Sequence, residues 1–255
     1  MKQFSMQPNL FKQAIAARES QIGLWCTMCS PIAAEIVSEA NYDWLLFDSE
    51  HSPVEVSGIL PLLQAAEGGT SHSVVRVAWN DRVLLKRLLD IGAQTVLVPF
   101  VENSEEARDA VSAARYPLKG GRGVAGVTRA TRYGRCKEYI HKANDQLCMI
   151  VQIETPGAVG NIEEIAAVDG VDGIFVGPSD LSASMGYPGN PSHKEVQTAL
   201  LDAVHRINES GKPAGILATN VADAKRYLEW GYTFVAVGLD VGLFVQAVDK
   251  LREQF

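Results

Sequence analysis

Residues 148–187 read CMIVQIETPGAVGNIEEIAAVDGVDGIFVGPSDLSASMGY, and this stretch decides the fold. It contains two apolar runs of strand length, CMIVQI and DGIFVG, in the order expected of parallel strands joined through a helix. Each run delivers one carboxylate to its C-terminal edge, Glu154 after the first and Asp180 just past the second. Because consecutive strands of a parallel sheet end side by side, we expect the two carboxylates to converge.

Two converging carboxylates suit a hard divalent cation such as Mg²⁺ or Mn²⁺, with the other coordination positions left to water and substrate oxygens. The structural alternative is that Glu154 caps the following helix and Asp180 begins a turn. Either acid alone fits that alternative. The occurrence of both at successive strand ends favours a metal site.

The rest of the chain repeats the same alternation. After a short amphipathic helix over 10–18, the strand-like segments are IGLWCT, DWLLFD, SVVRVA, TVLVPF, CMIVQIE, DGIFVG, AGILA and TFVAVG. They show little polar alternation, as expected of parallel strands covered by helices. About eight such units in 255 residues, without a linker, predict an α/β fold: one (β/α)₈ TIM-barrel domain over 1–255. An open doubly wound sheet is the alternative.

Composition limits the partners. The net charge is −7 and no basic stripe is present, which argues against nucleic acid or an anionic membrane as the main partner and leaves small metabolites. The first twenty residues carry charges where a signal peptide needs an apolar core, so we expect a cytoplasmic protein. The four cysteines do not form a disulfide framework in a chain of this size, and we expect them to be reduced.

One long interruption, residues 116–146, lies before the fifth strand. Its GGRGVAG formally matches a dinucleotide-binding pattern, but no strand precedes it directly. We interpret it as a flexible, positively charged active-site loop in which Arg122, Arg129 and Arg132 meet an anion. Arg129 and Arg132 are predicted to bind the distal end of the substrate. The alternative is a solvated run of charges.

Barrel enzymes place reacting groups at the C-terminal ends of strands. The polar residues found there are Asp48, Glu50, His51, Arg76, Gln152, Glu154, Gly177, Ser179 and Asp180. Arg76 lies in an apolar strand and needs a carboxylate or oxyanion partner, either in a site or in a structural salt bridge. His51 either acts in the site or caps the next helix.

No lysine occupies a C-terminal strand edge, since Lys212 precedes a strand and Lys86, Lys225 and Lys250 belong to helices. A Schiff-base mechanism therefore has no obvious nucleophile. A metal held by two carboxylates, together with an arginine and a histidine, suits the stabilisation of an enolate. A 2-oxo acid is a substrate that could chelate such a cation.

The chain resembles the metal-dependent (class II) pyruvate aldolases of the HpcH/HpaI family over nearly its whole length. The motifs that carry the resemblance are DSEHSP, VVRVAWND, KRLLDIGAQTVLVPFVE, RYP with GGRGV, RATRYG, KANDQ, VQIET, GVDGIFVGPSDLSASMGYPGNPSH, GKPAGILA and RYLEWGYTFVAVGLD. One departure is Ser49, where many relatives have glycine. It bears on the acceptor side of the pocket.

The resemblance implies a role for each matching residue. Glu154 and Asp180 correspond to the ligands of Mg²⁺, Mn²⁺ or Co²⁺, Gln152 to a substrate contact, and the backbone of Gly177, Pro178, Ser179 and Asp180 to the cradle of the pyruvate carboxylate. Arg76 corresponds to the residue that binds the keto oxygen and stabilises the enolate. His51 corresponds to the general base and Asp90 to the acid that orients it.

Family members are usually hexamers with exchanged helices and active sites near subunit boundaries, so the resemblance also implies a homohexamer. The expected reaction is the reversible cleavage of a 4-hydroxy-2-oxo acid, of the heptanedioate or 2-keto-3-deoxy-glucarate type, into pyruvate and an aldehyde. Two alternatives stay open: a related metal-dependent lyase acting on an acyl-CoA or phosphonate, and a metabolite-binding barrel without catalysis.

Overall fold

Eight parallel strands close into one barrel in the computed structural model, which describes residues 4–255. Each strand pairs with the next along the chain, and the last pairs with the first. The predicted (β/α)₈ barrel is therefore confirmed. The strands are β1 Gln21–Cys26, β2 Trp44–Asp48, β3 His72–Arg76, β4 Thr95–Val98, β5 Cys148–Ile153, β6 Gly173–Val176, β7 Ala214–Leu217 and β8 Phe234–Leu239.

Helices follow the strands around the outside of the barrel. They are α1 Leu10–Ala16, α2 Pro31–Ser38, α3 Val56–Ala66, α4 Arg82–Asp90, α5 Ser104–Ala114, α6 Tyr139–Gln146, α7 Pro156–Gly160, α8 Ile162–Ala166, α9 Pro178–Ser184, α10 Lys194–Glu209, α11 Val221–Trp230 and α12 Asp240–Arg252. Several begin at a polar cap that accepts a backbone N–H, such as Asp81 before α4 and Asn103 before α5. Within residues 4–255, none of the helices has the length and apolar character needed to span a membrane.

Aromatic rings fill the bore of the barrel. Trp25, Phe175 and Phe234 follow one another at centroid distances of 5.5 Å and 6.2 Å, and Phe11 of α1 packs on Phe234 at 5.8 Å from the N-terminal side. A second apolar layer, rich in Val, Leu and Ala, lies between the strands and the helices. The bore is thus a packed core, as in other barrels of this size.

The segment 116–146 has a different position from the one expected. It follows α5 and precedes β5, so it connects a helix to a strand at the N-terminal end of the barrel, whereas strand-to-helix connections lie at the C-terminal end. It also packs: Tyr116, Cys136, Tyr139 and Ala143 form an apolar cluster, and α6 belongs to it. The expectation of an active-site loop was wrong within one chain, because a helix-to-strand connection lies at the opposite end of the barrel from the C-terminal ends of the strands.

Glycines in the strands make room for the aromatic rings in the bore. A Cβ on Gly215 would lie 2.0 Å from the ring of Phe234. We expect Gly215→Ala to lower the free energy of unfolding by about 1–3 kcal/mol, since a packed interior resists an added methyl group. Urea denaturation measures the change. Gly160→Ala, where the Cβ meets nothing within 4 Å, is the matched control. Equal stability of the two variants would contradict this account of the bore.

Candidate active site

The C-terminal ends of the strands surround a cavity of about 340 Å³, here called the strand-end cavity. Its lining residues are Trp25, Thr27, Asp48, His51, Arg76, Gln152, Phe175, Gly177, Pro178, Ser179, Asp180, Leu217 and Leu239. A larger cavity of about 960 Å³ lies at the opposite end, beside α1, Arg129 and Arg132, and contains none of these strand-end groups. The chemistry expected from the sequence therefore belongs to the smaller cavity.

Arg76 and Asp48 form a buried ion pair in the site. They are register partners on β3 and β2, and both are buried. The Arg76 Nε donates to Asp48 Oδ1 at 2.9 Å, and its Nη2 donates to the other oxygen. The guanidinium also lies over the Trp25 ring, 4.8 Å from the centroid. The expected carboxylate partner of Arg76 is thus Asp48, in a bidentate pair.

Asp48 also organises the turn that follows β2. Its Oδ1 accepts the backbone N–H groups of Glu50 at 2.9 Å and His51 at 3.3 Å, and its Oδ2 accepts the indole N–H of Trp25 at 3.1 Å. Burial pushes the pKa of Asp48 upward, but the hydrogen bonds and charge of Arg76 outweigh it and hold that pKa below its usual value. Asp48 therefore stays ionised.

Glu50 makes the third contact with Arg76. Its Oε2 lies 2.7 Å from Nη1 of Arg76, although the two groups are not aligned as a hydrogen bond. Burial raises the pKa of Glu50, and the charges of Asp48 and Asp180 raise it further against the opposing charge of Arg76. Glu50 therefore faces Asp180 as well as Arg76.

Glu154 is buried at the end of β5 and held by one donor on each oxygen. The Phe100 N–H donates to Oε1 at 2.9 Å, and Gln152 Nε2 donates to Oε2 at 2.6 Å. Burial raises the pKa of Glu154 to about 7; the negative charges of Asp180 and Glu50 add to this rise, and the two hydrogen bonds oppose it. Glu154 does not cap the helix that follows, because Thr155 is the cap of α7.

Glu154 and Asp180 provide hard oxygen ligands of the kind that Mg²⁺ and Mn²⁺ prefer. Among residues 4–255 no cluster of three or more His, Cys, Asp or Glu side chains is placed to hold a metal, so water and substrate would complete the coordination. Two further observations fit a cation. The buried Oε1 of Gln152 has no partner among the described residues. A Cβ on Gly177 would meet Glu154 Oε2 at 2.5 Å, so only glycine leaves this space open.

His51 is exposed at the mouth of the strand-end cavity. It does not cap α3, whose first turn is preceded by Glu55. Its ring makes no hydrogen bond to the side chains or backbone of residues 4–255. His51 is thus free to meet a substrate, but no group among the described residues of its own chain orients it.

Asp90 lies at the opposite end of the barrel from His51. It is the last residue of α4, which runs antiparallel to the strands, and its Oδ1 accepts Nη2 of Arg122 at 2.7 Å. The structure therefore does not bring the predicted His51–Asp90 pair together within one chain. Sequence reasoning placed Asp90 by its resemblance alone and did not consider which end of the helix it occupies.

Arg129 and Arg132 also lie at the N-terminal end. Arg129 donates to the carbonyl of Ile91 at 2.8 Å and to Glu67 at 2.7 Å, and Arg132 pairs with the same Glu67. Neither residue lines the strand-end cavity of its own chain. Both arginines were expected to bind the distal end of the substrate in the active site. Within one chain, they bind the carboxylate of Glu67 instead.

The raised pKa of Glu154 predicts how the metal-free protein responds to pH. The carboxyl is protonated in both states below about 4.5, its ordinary value, whereas above about 7 a charge is buried only in the folded state. The stability contributed by Glu154 therefore falls as pH rises between these values. In EDTA, Glu154→Gln should raise the free energy of unfolding at pH 8 and change it little at pH 5.

Urea denaturation at both pH values measures this effect. Glu163→Gln is the control, because a hydrogen bond from Arg206 lowers the pKa of exposed Glu163 to about 2, and its loss should give no gain at pH 8. An equal gain for Glu154→Gln at pH 5 and pH 8 would show that packing, and not charge, explains the change.

Comparison with known proteins identifies the family. The family model described as HpcH/HpaI aldolase/citrate lyase matches residues 21–247. A 4-hydroxy-2-oxo-heptane-1,7-dioate aldolase of Klebsiella pneumoniae is 52% identical over 97% of this chain and 94% of its own. A 5-keto-4-deoxy-D-glucarate aldolase of Enterobacter sp. strain 638 is 51% identical over 97% of each.

A solved structure agrees with these matches. The HpcH/HpaI aldolase/citrate lyase family protein from Burkholderia cenocepacia J2315 superposes with a TM-score of 0.94 at 38% identity, over 96% of this chain and 98% of that chain. The barrel, the strand-end groups and the sequence motifs all lie within the matched region. This chain is a member of the HpcH/HpaI aldolase/citrate lyase family.

Proposed function

We propose that this chain is a carbon–carbon lyase that reversibly cleaves a 4-hydroxy-2-oxo acid into pyruvate and an aldehyde. The observation that carries the proposal is that Asp180, Gln152 and buried Arg76 line one cavity, while buried Glu154 bonds Gln152 and feels the charge of Asp180. Relatives named as aldolases of a heptanedioate and of a deoxy-glucarate support it. A substrate of either type, 4-hydroxy-2-oxoheptanedioate or a 2-keto-3-deoxy-glucarate-like acid, fits the proposal.

Glu154 and Asp180 would hold a divalent cation, Mg²⁺, Mn²⁺ or Co²⁺, with Gln152 beside them. When bound, the cation supplies positive charge that lowers the cost of negative charge on the keto oxygen of the substrate. The carboxylate of the pyruvate half is assigned to the first turn of α9, Gly177 to Asp180. There Gly177 donates its N–H to the carbonyl of Ile153, Pro178 has no N–H, and the first N–H bonded inside the helix is that of Leu181. The N–H groups of Ser179 and Asp180 therefore remain for an anion.

Arg76 would stabilise the enolate oxygen that forms as the C3–C4 bond breaks. Its guanidinium is fixed by Asp48 and Trp25, so it is held in place before the charge develops, which is the condition for electrostatic catalysis. His51 would accept the proton of the C4 hydroxyl, directly or through water, as the bond breaks, and a proton then adds to C3 of the enolate to give pyruvate. In the reverse direction His51 would remove a proton from the methyl group of pyruvate. Both roles are those that the family resemblance implies, and the positions of Arg76 and His51 on the strand-end cavity support them.

The active form is proposed to be a homo-oligomer, a hexamer by family resemblance. Helix α12 buries only Asp240, whereas its apolar side chains remain exposed on the single chain. They are Val241, Leu243, Phe244, Val245, Val248 and Leu251. A helix of this kind needs a partner surface, and a second copy of the chain is the partner proposed.

In such an oligomer, Asp90 of one copy is proposed to orient His51 of another. Arg122 binds one oxygen of Asp90, and the other oxygen has no partner among the described residues and is not buried. His51 has no orienting group within residues 4–255 of its own chain. A carboxylate on one ring nitrogen would fix the tautomer and raise the basicity of the other. The roles of Arg129 and Arg132 at the distal end of the substrate stay a prediction of the same kind.

The metal assignment is tested by direct binding. Glu154→Ala and Asp180→Ala should each abolish Mn²⁺ binding in calorimetry and reduce cleavage of a 4-hydroxy-2-oxo diacid to background, because each removes a ligand. Incubation with pyruvate and borohydride should add no covalent mass to any lysine. Cleavage that survives exhaustive chelation, or a trapped lysine adduct, would overturn the proposed function.

The origin of Asp90 is tested by mixing subunits. His51→Ala and Asp90→Asn should each lower kcat by about 100-fold or more when alone. Refolded or co-expressed together at equal amounts, they should regain about a quarter of the wild-type sites, because an intact His51 then meets an intact Asp90 in one neighbour pair of four. A mixture no more active than its components would mean that the two residues do not meet across a subunit boundary.

A further inference from the structure

The junction between β4 and α5 contains a residue in an unusual backbone conformation. Phe100 has φ of 50°, in the left-handed region that bulky side chains rarely adopt. Such backbone strain persists only where the surrounding structure maintains it, and it occurs preferentially at functional sites. Phe100 lies two residues after the end of β4, beside the strand that delivers Glu154.

The register of the sheet shows what the strain achieves. At the end of the β2–β3 pair, Asp48 is opposite Arg76 and the next N–H, of Ser49, binds the Arg76 carbonyl. In the β4–β5 pair, Val98 is opposite Val151, so Pro99 would be opposite Gln152. The same rule then assigns the next N–H, that of Phe100, to the carbonyl of Gln152. That carbonyl instead accepts the N–H of Val101, at 3.0 Å. One extra residue is therefore inserted here, which makes the junction a bulge.

The bulge releases the Phe100 N–H from the sheet, and this N–H donates to Oε1 of Glu154 at 2.9 Å. The Phe100 ring packs against exposed Trp79, with the centroids 5.9 Å apart. Since Gln152 already holds Oε2, the Phe100 amide completes a two-point fixation of the carboxylate.

We propose that Phe100 is a positioning residue for Glu154: its left-handed conformation diverts a backbone N–H from the sheet to the carboxylate and fixes the direction in which that carboxylate presents its free lone pairs. This inference rests on the proposed function in one respect, that Glu154 binds a divalent cation. A carboxylate held by donors on both oxygens loses little rotational freedom on binding, and this raises its affinity for the ion.

Mn²⁺ binding to the full-length protein, measured by calorimetry, tests the proposal. Phe100→Gly keeps the N–H and accepts a positive φ, so the Kd for Mn²⁺ should stay within about twofold of wild type. Phe100→Pro removes the N–H and cannot adopt a positive φ, so binding should weaken roughly tenfold to a hundredfold, as for a lost hydrogen bond to a charged group. Replacing Phe100 by its α-hydroxy acid exchanges only that N–H for oxygen and should weaken binding about tenfold.

Asn41 provides the matched control, because it also has a positive φ, 60°, in the turn before β2 at the other end of the barrel. Asn41→Pro should lower the thermal midpoint as Phe100→Pro does, yet leave the Kd for Mn²⁺ unchanged. If Phe100→Pro fails to fold, the α-hydroxy acid variant decides the question. Wild-type affinity in that variant overturns the proposal for Phe100 alone. Absence of Mn²⁺ binding by the wild-type protein overturns both this inference and the proposed metal site.

Discussion

The buried pair of Asp48 and Arg76 is the interaction on which the site depends. The sheet register places the two residues opposite each other on β2 and β3, and two parallel hydrogen bonds join them. A buried arginine without a partner would cost far more than the pair does, so the strand ends are stable only with both residues present. The same carboxylate then fixes the turn that carries Glu50 and His51.

The charges around this pair do not cancel. Asp48 neutralises Arg76, whereas burial raises the pKa of both Glu50 and Glu154 and the negative charge of Asp180 raises both further. Burial strengthens this repulsion, because little water screens it. A bound cation would relieve this repulsion between carboxylates. Without a cation, the negatively charged cavity would repel an anionic oxo acid. A divalent cation would therefore stabilise both the folded protein and the bound anionic substrate.

Sequence reasoning reached the barrel and most of the strand-end residues because both depend on local patterns. Runs of apolar residues mark the strands, and a polar residue directly after such a run marks an end. It was harder to predict the positions of Asp90, Arg129 and Arg132. The end of the barrel at which they lie depends on whether a connection runs from strand to helix or from helix to strand. The contribution of Phe100 was out of reach, because a backbone N–H leaves no mark in the sequence and the bulge that frees it appears only when two strands are paired. Trp25 read as one more apolar strand residue, although its ring supports Arg76 and its indole N–H binds Asp48.

The stacked rings in the bore also determine how the cavity communicates with solvent. Trp25 and Phe175 line the strand-end cavity from below, and Phe234 and Phe11 continue the column toward α1. The aromatic rings therefore close the cavity on its N-terminal side, and molecules enter and leave through the rim formed by the C-terminal ends of the strands. Any segment that covers the rim would shield the enolate of the proposed reaction from bulk protons, and the partition of that enolate between addition to an aldehyde and protonation to pyruvate would then be decided at the rim.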